Sequence, residues 1–387
     1  MKRILVNQKY VKKNRFMKGN QWEDHWNHRH IKSTVAKVDI PRARIEKAVR
    51  LRHHHEMVDC ISQENEQNIV QNTKQTAQAA DLTLERLLQE LKENHIYGMG
   101  GAAFDTAMKM ETVWNAETQQ KVLVVNGVAC DPGLLHDRWL LQHHMKEIEM
   151  GIEMLIHMMV FNRVILAAKE PYEVGDSSIE MQVVPNRYPM GAEKVLLKAI
   201  QGLQYDETKY PAEQGILILN VQTIYALYLA HYEPEQSCYK YITVADLHTG
   251  IGAIAKVEIG QSINAVAEMT YGDQLGQNDT IYFGGGILLA EEADQNSVVD
   301  EKTAFIGFGE AAHMAEQNRC RGCGACSRKC LMGIEVHKVV QAVEKGKKPP
   351  VTKEQAASCL QCGACSYYCK AGKDTMNIIS NAFLMHQ

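Results

Sequence analysis

The chain has no long uninterrupted apolar run. Its longest candidate, residues 150–168, is broken by Glu153, His157, Asn162 and Arg163. A spanning helix needs about 20 predominantly apolar residues, so no membrane span is expected. Net charge is also scarce, a formal -4 over 387 residues, which gives no electrostatic reason to expect a nucleic-acid partner. The basic start (Lys2, Arg3, Lys9, Lys12, Lys13, Arg15) reads as a solvated tail. No segment near the N-terminus has the pattern of a cleavable leader, so the expectation is a cytoplasmic protein in a reducing compartment. With 45% hydrophobic residues, a chain of this length can bury a large core and divide into roughly two to four domains.

Cysteine is concentrated instead of scattered. Eight of the eleven cysteines form two copies of CxxCxxCxxxC: Cys320, Cys323, Cys326, Cys330 and Cys359, Cys362, Cys365, Cys369. A disulfide framework suits a short secreted chain, which this is not. Structural zinc pairs CxxC elements and has no use for a fourth cysteine at this spacing. The spacing is the ligand run of bacterial ferredoxins with two 4Fe-4S clusters. Three thiolates wrap three corners of one cubane, and the small residues between them let backbone amides turn toward sulfur. The fourth cysteine reaches the other cluster. The expected metal sets are therefore Cys320, Cys323, Cys326 with Cys369, and Cys359, Cys362, Cys365 with Cys330.

A second motif lies upstream, the loop Tyr97-Gly98-Met99-Gly100-Gly101-Ala102-Ala103-Phe104. Glycines let backbone approach a ligand closely, and a helix starting after the loop would aim its amides at an anion. Lys109 stands near enough to add positive charge. Apolar strands are expected at 121–126, 163–168, 181–184 and 215–220, alternating with helical stretches. That alternation predicts a parallel sheet with ligands beyond the carboxyl ends of its strands, where Asn126 and Asn220 fall. After about residue 232, short strands at 241–245, 253–258 and 280–283 surround one helix at 262–269 and predict a small α+β module. From Lys302 onward helices are expected around the cysteine runs. Residues 1–80 carry His25, His28, His30, His53, His54 and His55 near Asp24, Glu56 and Cys60, with no familiar ligand spacing. Ordinary surface or core histidines are the expectation there.

In order along the chain, GMGGAAFDTAMK (98–109), NGVACDPGLLHDR (126–138), YPMGAEKVL (188–196), NVQT (220–223) and the two cysteine runs resemble the RnfC-like proteins, relatives of the NADH-binding flavoprotein subunit of respiratory complex I. The resemblance spans residues from about 95 to 387. It implies an α/β chain of three parts after an N-terminal segment of unclear fold (1–80). These are a Rossmann-like FMN and possibly NADH domain (81–236), a small β-grasp-like module of the soluble-ligand-binding (SLBB) type (237–300) and an α-helical dicluster ferredoxin domain (301–387). By matching position it implies that Gly98, Gly100, Gly101 and Lys109 cradle the flavin phosphate, and that Asn126, Asn220 and Thr223 hydrogen-bond the phosphate, ribityl chain or ring. Phe104 would line a nicotinamide pocket, Gly191 and Glu193 would sit beside the isoalloxazine, and Asp131 would be the remaining carboxylate of its turn.

The implied function is an electron-transfer flavoprotein passing electrons between NAD(H), FMN and two 4Fe-4S clusters to a protein redox partner. That partner would be a reductase, a ferredoxin-like carrier or the other subunits of an assembly, with docking to a membrane complex also open. Ala129 and Asp105 depart from the family's pattern, where a carboxylate and a proline are usual. They motivate an alternative, a flavin and iron-sulfur relay subunit of a larger soluble reductase without its own nicotinamide site. Cys130 is expected to be structural, Cys60 and Cys238 ordinary thiols, and Tyr367 and Tyr368 covers for the second cluster.

Overall fold

The computed structural model describes residues 83–384 apart from 94–95, 102, 119, 132 and 311–317. The histidine-bearing region 1–80, with Cys60, lies outside the described residues. The first described helix, α1 (Leu84–Glu93), buries Leu87, Leu88 and Leu91 along one stripe. Next come α2 (Thr106–Asn115), β1 (Val122–Asn126), α3 (His136–His143), α4 (Met145–Met158), β2 (Arg163–Ala168), β3 (Ile179–Val183), α5 (Glu193–Ala199), β4 (Ile216–Asn220) and α6 (Val221–Tyr232).

The four strands form one parallel sheet in the order β3-β2-β1-β4. Strands covered on both faces read as continuous apolar runs, and the period of two then divides each run between two cores. Leu123, Val125, Leu217 and Leu219 face the core built with α1, α2, α3, α4 and α6. Val122, Val124, Ile216 and Ile218 face the core built with α5. Each fully buried Leu, Ile or Val contributes about 1.5–3 kcal/mol relative to exposure. The sheet runs outward from β1 through β2 to β3, whereas β4 lies on the other side of β1. The order therefore reverses between β1 and β4, and a crevice opens at their carboxyl ends.

A second sheet is mixed and five-stranded. It comprises β5 (Tyr239–Asp246), β6 (Ile251–Glu258), β7 (Thr280–Gly284), β8 (Glu291–Glu292) and β9 (Phe305–Gly309), in the order β6-β5-β9-β7-β8. A helix, α7 (Ile263–Tyr271), covers it through Ile263, Val266, Ala267 and Tyr271. Only β5 and β9 pair in parallel, the β-grasp-like arrangement. Here the structure corrects the sequence reading. Residues 305–309 were expected in a helical region beyond the module's end at 300, but they form its central strand. The run Phe-Ile-Gly-Phe-Gly is buried throughout, and a five-residue apolar run carries no period by which to separate strand from helix.

The last unit is helical: α8 (Ala325–Arg328), α9 (Val336–Glu344), α10 (Lys353–Ala357), α11 (Ala364–Tyr367) and α12 (Thr375–Leu384). It is an internal repeat. Gly324 and Gly363, in left-handed conformation at φ 68° and 77°, open the short helices α8 and α11. Ser327 Oγ then accepts from His337 N at 3.1 Å, and Ser366 Oγ from Met376 N at 2.7 Å. Each serine thus ties its cysteine run to the longer helix that follows. Val336, Val339 and Val340 pack with Met376, Ile379 and Phe383 into one core that includes Cys326 and Cys365. Leu331, Met332 and Leu360 pack against the α5 face of the parallel sheet.

Candidate functional site

Residues 98–104 form a loop whose ends are pinned together. Tyr97 and Asp105 make a lone β-bridge, and Gly98 N donates to Phe104 O at 2.8 Å. Asp105, the departure from the family's proline, is the N-cap of α2 and accepts from Met108 N at 2.9 Å, so it starts the helix by another means. The buried Met99 donates from its backbone to Thr223 Oγ1 at 2.9 Å, which fastens the loop to the first turn of α6. Gly100 lies against the Asn220 side chain, and Gly101 faces the backbone of Gly285, in the turn after β7.

Lys109 joins three elements. From α2 its ammonium donates to Glu193, the first residue of α5, and to Ile218 O of β4 at 2.9 Å. Its side chain is only 13% exposed. The exposed Phe104 ring stands 5.7 Å from the ammonium.

Asn126 and Asn220 are direct partners in the β1–β4 register, both at strand ends. Neither simply presents a free amide. Asn126 donates to Gly191 O at 2.9 Å and accepts from Val128 N at 3.0 Å. Asn220 accepts from Gln222 N at 2.8 Å as N-cap of α6 and donates to Asp137 Oδ2 at 2.9 Å. A Cβ at Gly191 would collide with Val128 O, so only glycine lets 191 approach the turn after β1 this closely.

Asp137 was not singled out from the sequence. It is 5% exposed, and its second oxygen, Oδ1, is buried without a hydrogen-bond partner among the described residues. The nearest ring nitrogen, His136 Nε2, stands 3.5 Å away, and burial lowers the pKa of that histidine, favouring its neutral form. The only signal for Asp137 was its place in the 126–138 motif, in the first turn of a helix.

The structure therefore brings Gly98, Gly100, Gly101, Lys109, Asn126, Gly191, Glu193, Asn220 and Thr223 around the crevice between β1 and β4, with Phe104 at its rim. Asp131 is placed elsewhere. Its buried carboxylate accepts from Ile287 N at 2.8 Å, in the turn of the second sheet, and burial pushes its pKa up to about 7. Nearby Cys130 is half-buried, and desolvation of its sulfur pushes the thiol up to about 12. A thiol of that kind is inert at neutral pH.

The cysteine runs line two cavities. Cys320, Cys323, Cys326 and Cys369 surround one, together with Arg321, His337 and Lys370. Cys330, Cys359, Cys362 and Cys365 surround the other, among Pro189, Leu331, Met332 and Leu360. The fourth cysteine of each run thus stands with the first three of the other. Among the described residues no three Cys, His, Asp or Glu side chains converge on a single ion's position; the thiols stand around a space. Backbone amides reach the sulfurs, from Gly322 N to Cys320 Sγ at 3.5 Å and from Lys373 N to Cys369 Sγ at 3.4 Å. Burial pushes the Cys362 and Cys365 thiols up to about 11 and about 12, so their thiolates at neutral pH need a bound cation. Tyr188 donates its hydroxyl to Cys362 O, bridging the parallel-sheet unit and the second set. Tyr367 packs on the second sheet's core near Tyr188, and Tyr368 lies under the Lys329 ammonium at 4.7 Å.

A crevice at the switch point of a doubly wound sheet, joined to a ferredoxin-like unit through a β-grasp-like module, defines a class of α/β redox scaffold. Comparison with known proteins shows what the chain resembles. Residues 91–229 match the Nuo51 FMN-binding domain. The RnfC subunit of the ion-translocating oxidoreductase complex from Haemophilus influenzae (strain Rd) is 26% identical over 266 residues, covering 65% of this chain and 32% of that protein. The protein of the same name from Vibrio cholerae (El Tor Inaba N16961) is 31% identical over 164 residues, covering 40% of this chain and 21% of that protein. The chain thus spans about a third or less of the length of these relatives. An NAD+-reducing [NiFe]-hydrogenase crystal structure in the air-oxidized state aligns at TM-score 0.52 and 14% identity, over 80% of this chain and 64% of that one. That likeness is one of fold. The resemblance to the Haemophilus influenzae protein extends over about 65% of this chain, and the match to the FMN-binding domain lies within residues 91–229. No helix among the described residues is long and apolar enough to cross a membrane.

Proposed function

We propose that this chain is an electron-transfer flavoprotein that holds FMN at the β1–β4 crevice and two 4Fe-4S clusters in the two thiol-lined cavities. The observation carrying this reading is the spatial exchange of Cys330 and Cys369 between two separate four-thiol sets, each large enough in donor number for a cubane. FMN, when bound, accepts a hydride as an electron pair and returns electrons singly. The chain's own residues fit that group. Lys109 supplies a positively charged donor at the crevice, the loop 98–101 offers backbone at close range, and the α6 N-terminus points its amides there. Asp137 Oδ1, buried and without a hydrogen bond among the described residues, would accept from a hydroxyl of the ribityl chain. Tyr188 and the apolar contacts of Leu331, Met332 and Leu360 hold the second thiol set beside the parallel sheet and exclude water from between them.

The resemblance to the NADH-binding flavoprotein subunit supports NAD(H) as the two-electron partner, with Phe104 and Glu193 as the residues that would line its entrance. The rival reading, a relay subunit without its own nicotinamide site, is favoured by one observation. The single carboxylate left in the turn after β1, Asp131, is buried on Ile287 and does not face the crevice. Anaerobic stopped-flow mixing of the reconstituted protein with NADH decides between them. Bleaching of the flavin band within the dead time to seconds supports NAD(H), whereas a yellow protein unreduced by NADH or NADPH but reduced by dithionite establishes the relay. The complexes named for the relatives support a multi-subunit assembly for this chain as well.

A further inference from the structure

Charge is unevenly distributed along the chain. Residues 318–384 hold eleven Lys and Arg against four Asp and Glu, although the whole sequence holds 42 against 46. The two thiol-lined cavities also differ in where they face. The set with Cys330 is covered by Pro189, Leu331, Met332 and Leu360 on the side of the parallel sheet. The set with Cys369 contains the exposed Cys323, and Arg321 and Lys370 line its cavity. Arg328 donates from Nη1 to Cys323 O at 3.0 Å, and Arg319, exposed, precedes Cys320.

Among residues 318–384, cations outnumber carboxylates eleven to four. Among the described residues, Arg319, Arg321, Arg328 and Lys370 make no salt bridge. Among the described residues, two carboxylates of this unit are committed elsewhere. Glu344 pairs with Lys373 at 2.9 Å and accepts from Cys320 N at 3.1 Å. Asp374 accepts from Ser366 Oγ at 3.0 Å and Asn377 N at 3.1 Å.

We propose that this rim, Arg319, Arg321, Arg328 and Lys370 around the exposed Cys323, is the docking surface for an acidic protein that carries one electron at a time. The proposal rests on the iron-sulfur reading above. A cluster with four thiolates is itself anionic and repels an acidic partner; a ring of cations in excess reverses that field where the cluster is nearest solvent. Rim charges act mainly through the association rate, raising it about 10- to 1,000-fold at low salt. The step moves one electron between the outer cluster and the carrier. One is oxidised by one electron, the other reduced by one, and no bond or proton changes place.

The test uses the full chain, reconstituted with iron and sulfide under anaerobic conditions. Oxidised protein is mixed in a stopped-flow instrument with a reduced, strongly acidic plant-type [2Fe–2S] ferredoxin, and reduced protein with basic cytochrome c. The ferredoxin rate should fall about tenfold or more between about 50 mM and about 500 mM salt, as screening predicts. It should fall about as far in Arg321→Glu/Lys370→Glu at unchanged iron content, while the cytochrome c rate holds or rises. A ferredoxin rate indifferent to salt, with iron present, overturns the docking surface and leaves the iron-sulfur reading standing. A wild-type chain that takes up no iron overturns both. If the double substitution abolishes binding to phosphatidylserine vesicles while the ferredoxin rate is unchanged, the rim serves a membrane surface and the proposal fails. The salt series on the unaltered chain decides the matter even if the variant loses its clusters.

Discussion

Asp131, in the turn after β1, and Ile287, in the turn after β7, are joined by a hydrogen bond from the Ile287 amide to the Asp131 carboxylate at 2.8 Å. Gly286 makes this possible, since a Cβ there would collide with the carboxylate. The turn that the RnfC resemblance offers to a ligand is therefore, in this chain, a clasp between the Rossmann-like and β-grasp-like units.

The clasp is pH-sensitive. Burial raises the Asp131 pKa from its ordinary value to about 7. Between about pH 4 and pH 7 the folded state keeps a proton that the unfolded state has lost. The stability due to this group is present in full below about pH 4 and declines by about 1.4 kcal/mol per unit as pH rises to 7. Asp131→Asn keeps an acceptor and removes the ionisation. Thermal melts should show the variant gaining on the wild type as pH rises from about 5 to about 8; a parallel pair of curves would refute the assignment. Asp131→Ala should cost about 1–3 kcal/mol by leaving buried amides unpaired.

Lys109 is the charged donor at the crevice, held by Glu193 and the Ile218 carbonyl. Lys109→Met should weaken FMN binding by roughly 10- to 100-fold, the worth of one charge-assisted hydrogen bond of about 1.5–3 kcal/mol. Glu193→Gln should retain FMN, because it leaves that cation in place. Quenching of FMN fluorescence on titration with the protein reads both, and equal affinity in Lys109→Met would remove the lysine from the site.

Cys369 stands with Cys320, Cys323 and Cys326, and Cys330 with Cys359, Cys362 and Cys365. Cys369→Ser should perturb the outer cluster and spare the inner one, and Cys330→Ser should do the reverse. Iron analysis together with EPR of the reduced protein distinguishes the two, since one thiol set includes the exposed Cys323 and the other has no exposed cysteine. Damage to the inner cluster alone in Cys369→Ser would contradict the exchanged pairing.

Tyr188 reaches Cys362 O with its hydroxyl. Tyr188→Phe should cost about 0.5–1.5 kcal/mol of stability and should shift the midpoint potential or EPR line shape of the inner cluster while leaving the outer one unchanged. An unaltered inner-cluster signal would reduce the tyrosine to packing.

Much of the fold was legible because the sequence writes it locally. The strand at 163–168 was expected with its observed bounds, and those ending at Asn126 and Asn220 within a residue, because two-sided burial makes each a short run of apolar side chains. Residues 305–309 were misread because five buried residues look alike in helix and strand until the partners, β5 and β7, are known. At the crevice, the glycine loop, Lys109, Asn126, Asn220 and Thr223 came from motif positions. That Thr223 Oγ1 accepts from the loop backbone, and that Asn220 is engaged by the missed Asp137, depends on residues 83 to 124 positions apart.

By itself the sequence determined the number and spacing of the cysteines, the periodicity of the strands and the glycines that allow tight turns. These are properties of near neighbours, set by covalent spacing and backbone sterics. Only the tertiary structure decided that Asp131 clasps the second sheet, that Asp137 keeps a buried oxygen without a hydrogen bond among the described residues, and that one thiol set faces a basic rim while the other faces the parallel sheet. Those outcomes depend on desolvation and hydrogen-bond direction, and both are fixed only when distant segments are packed against one another.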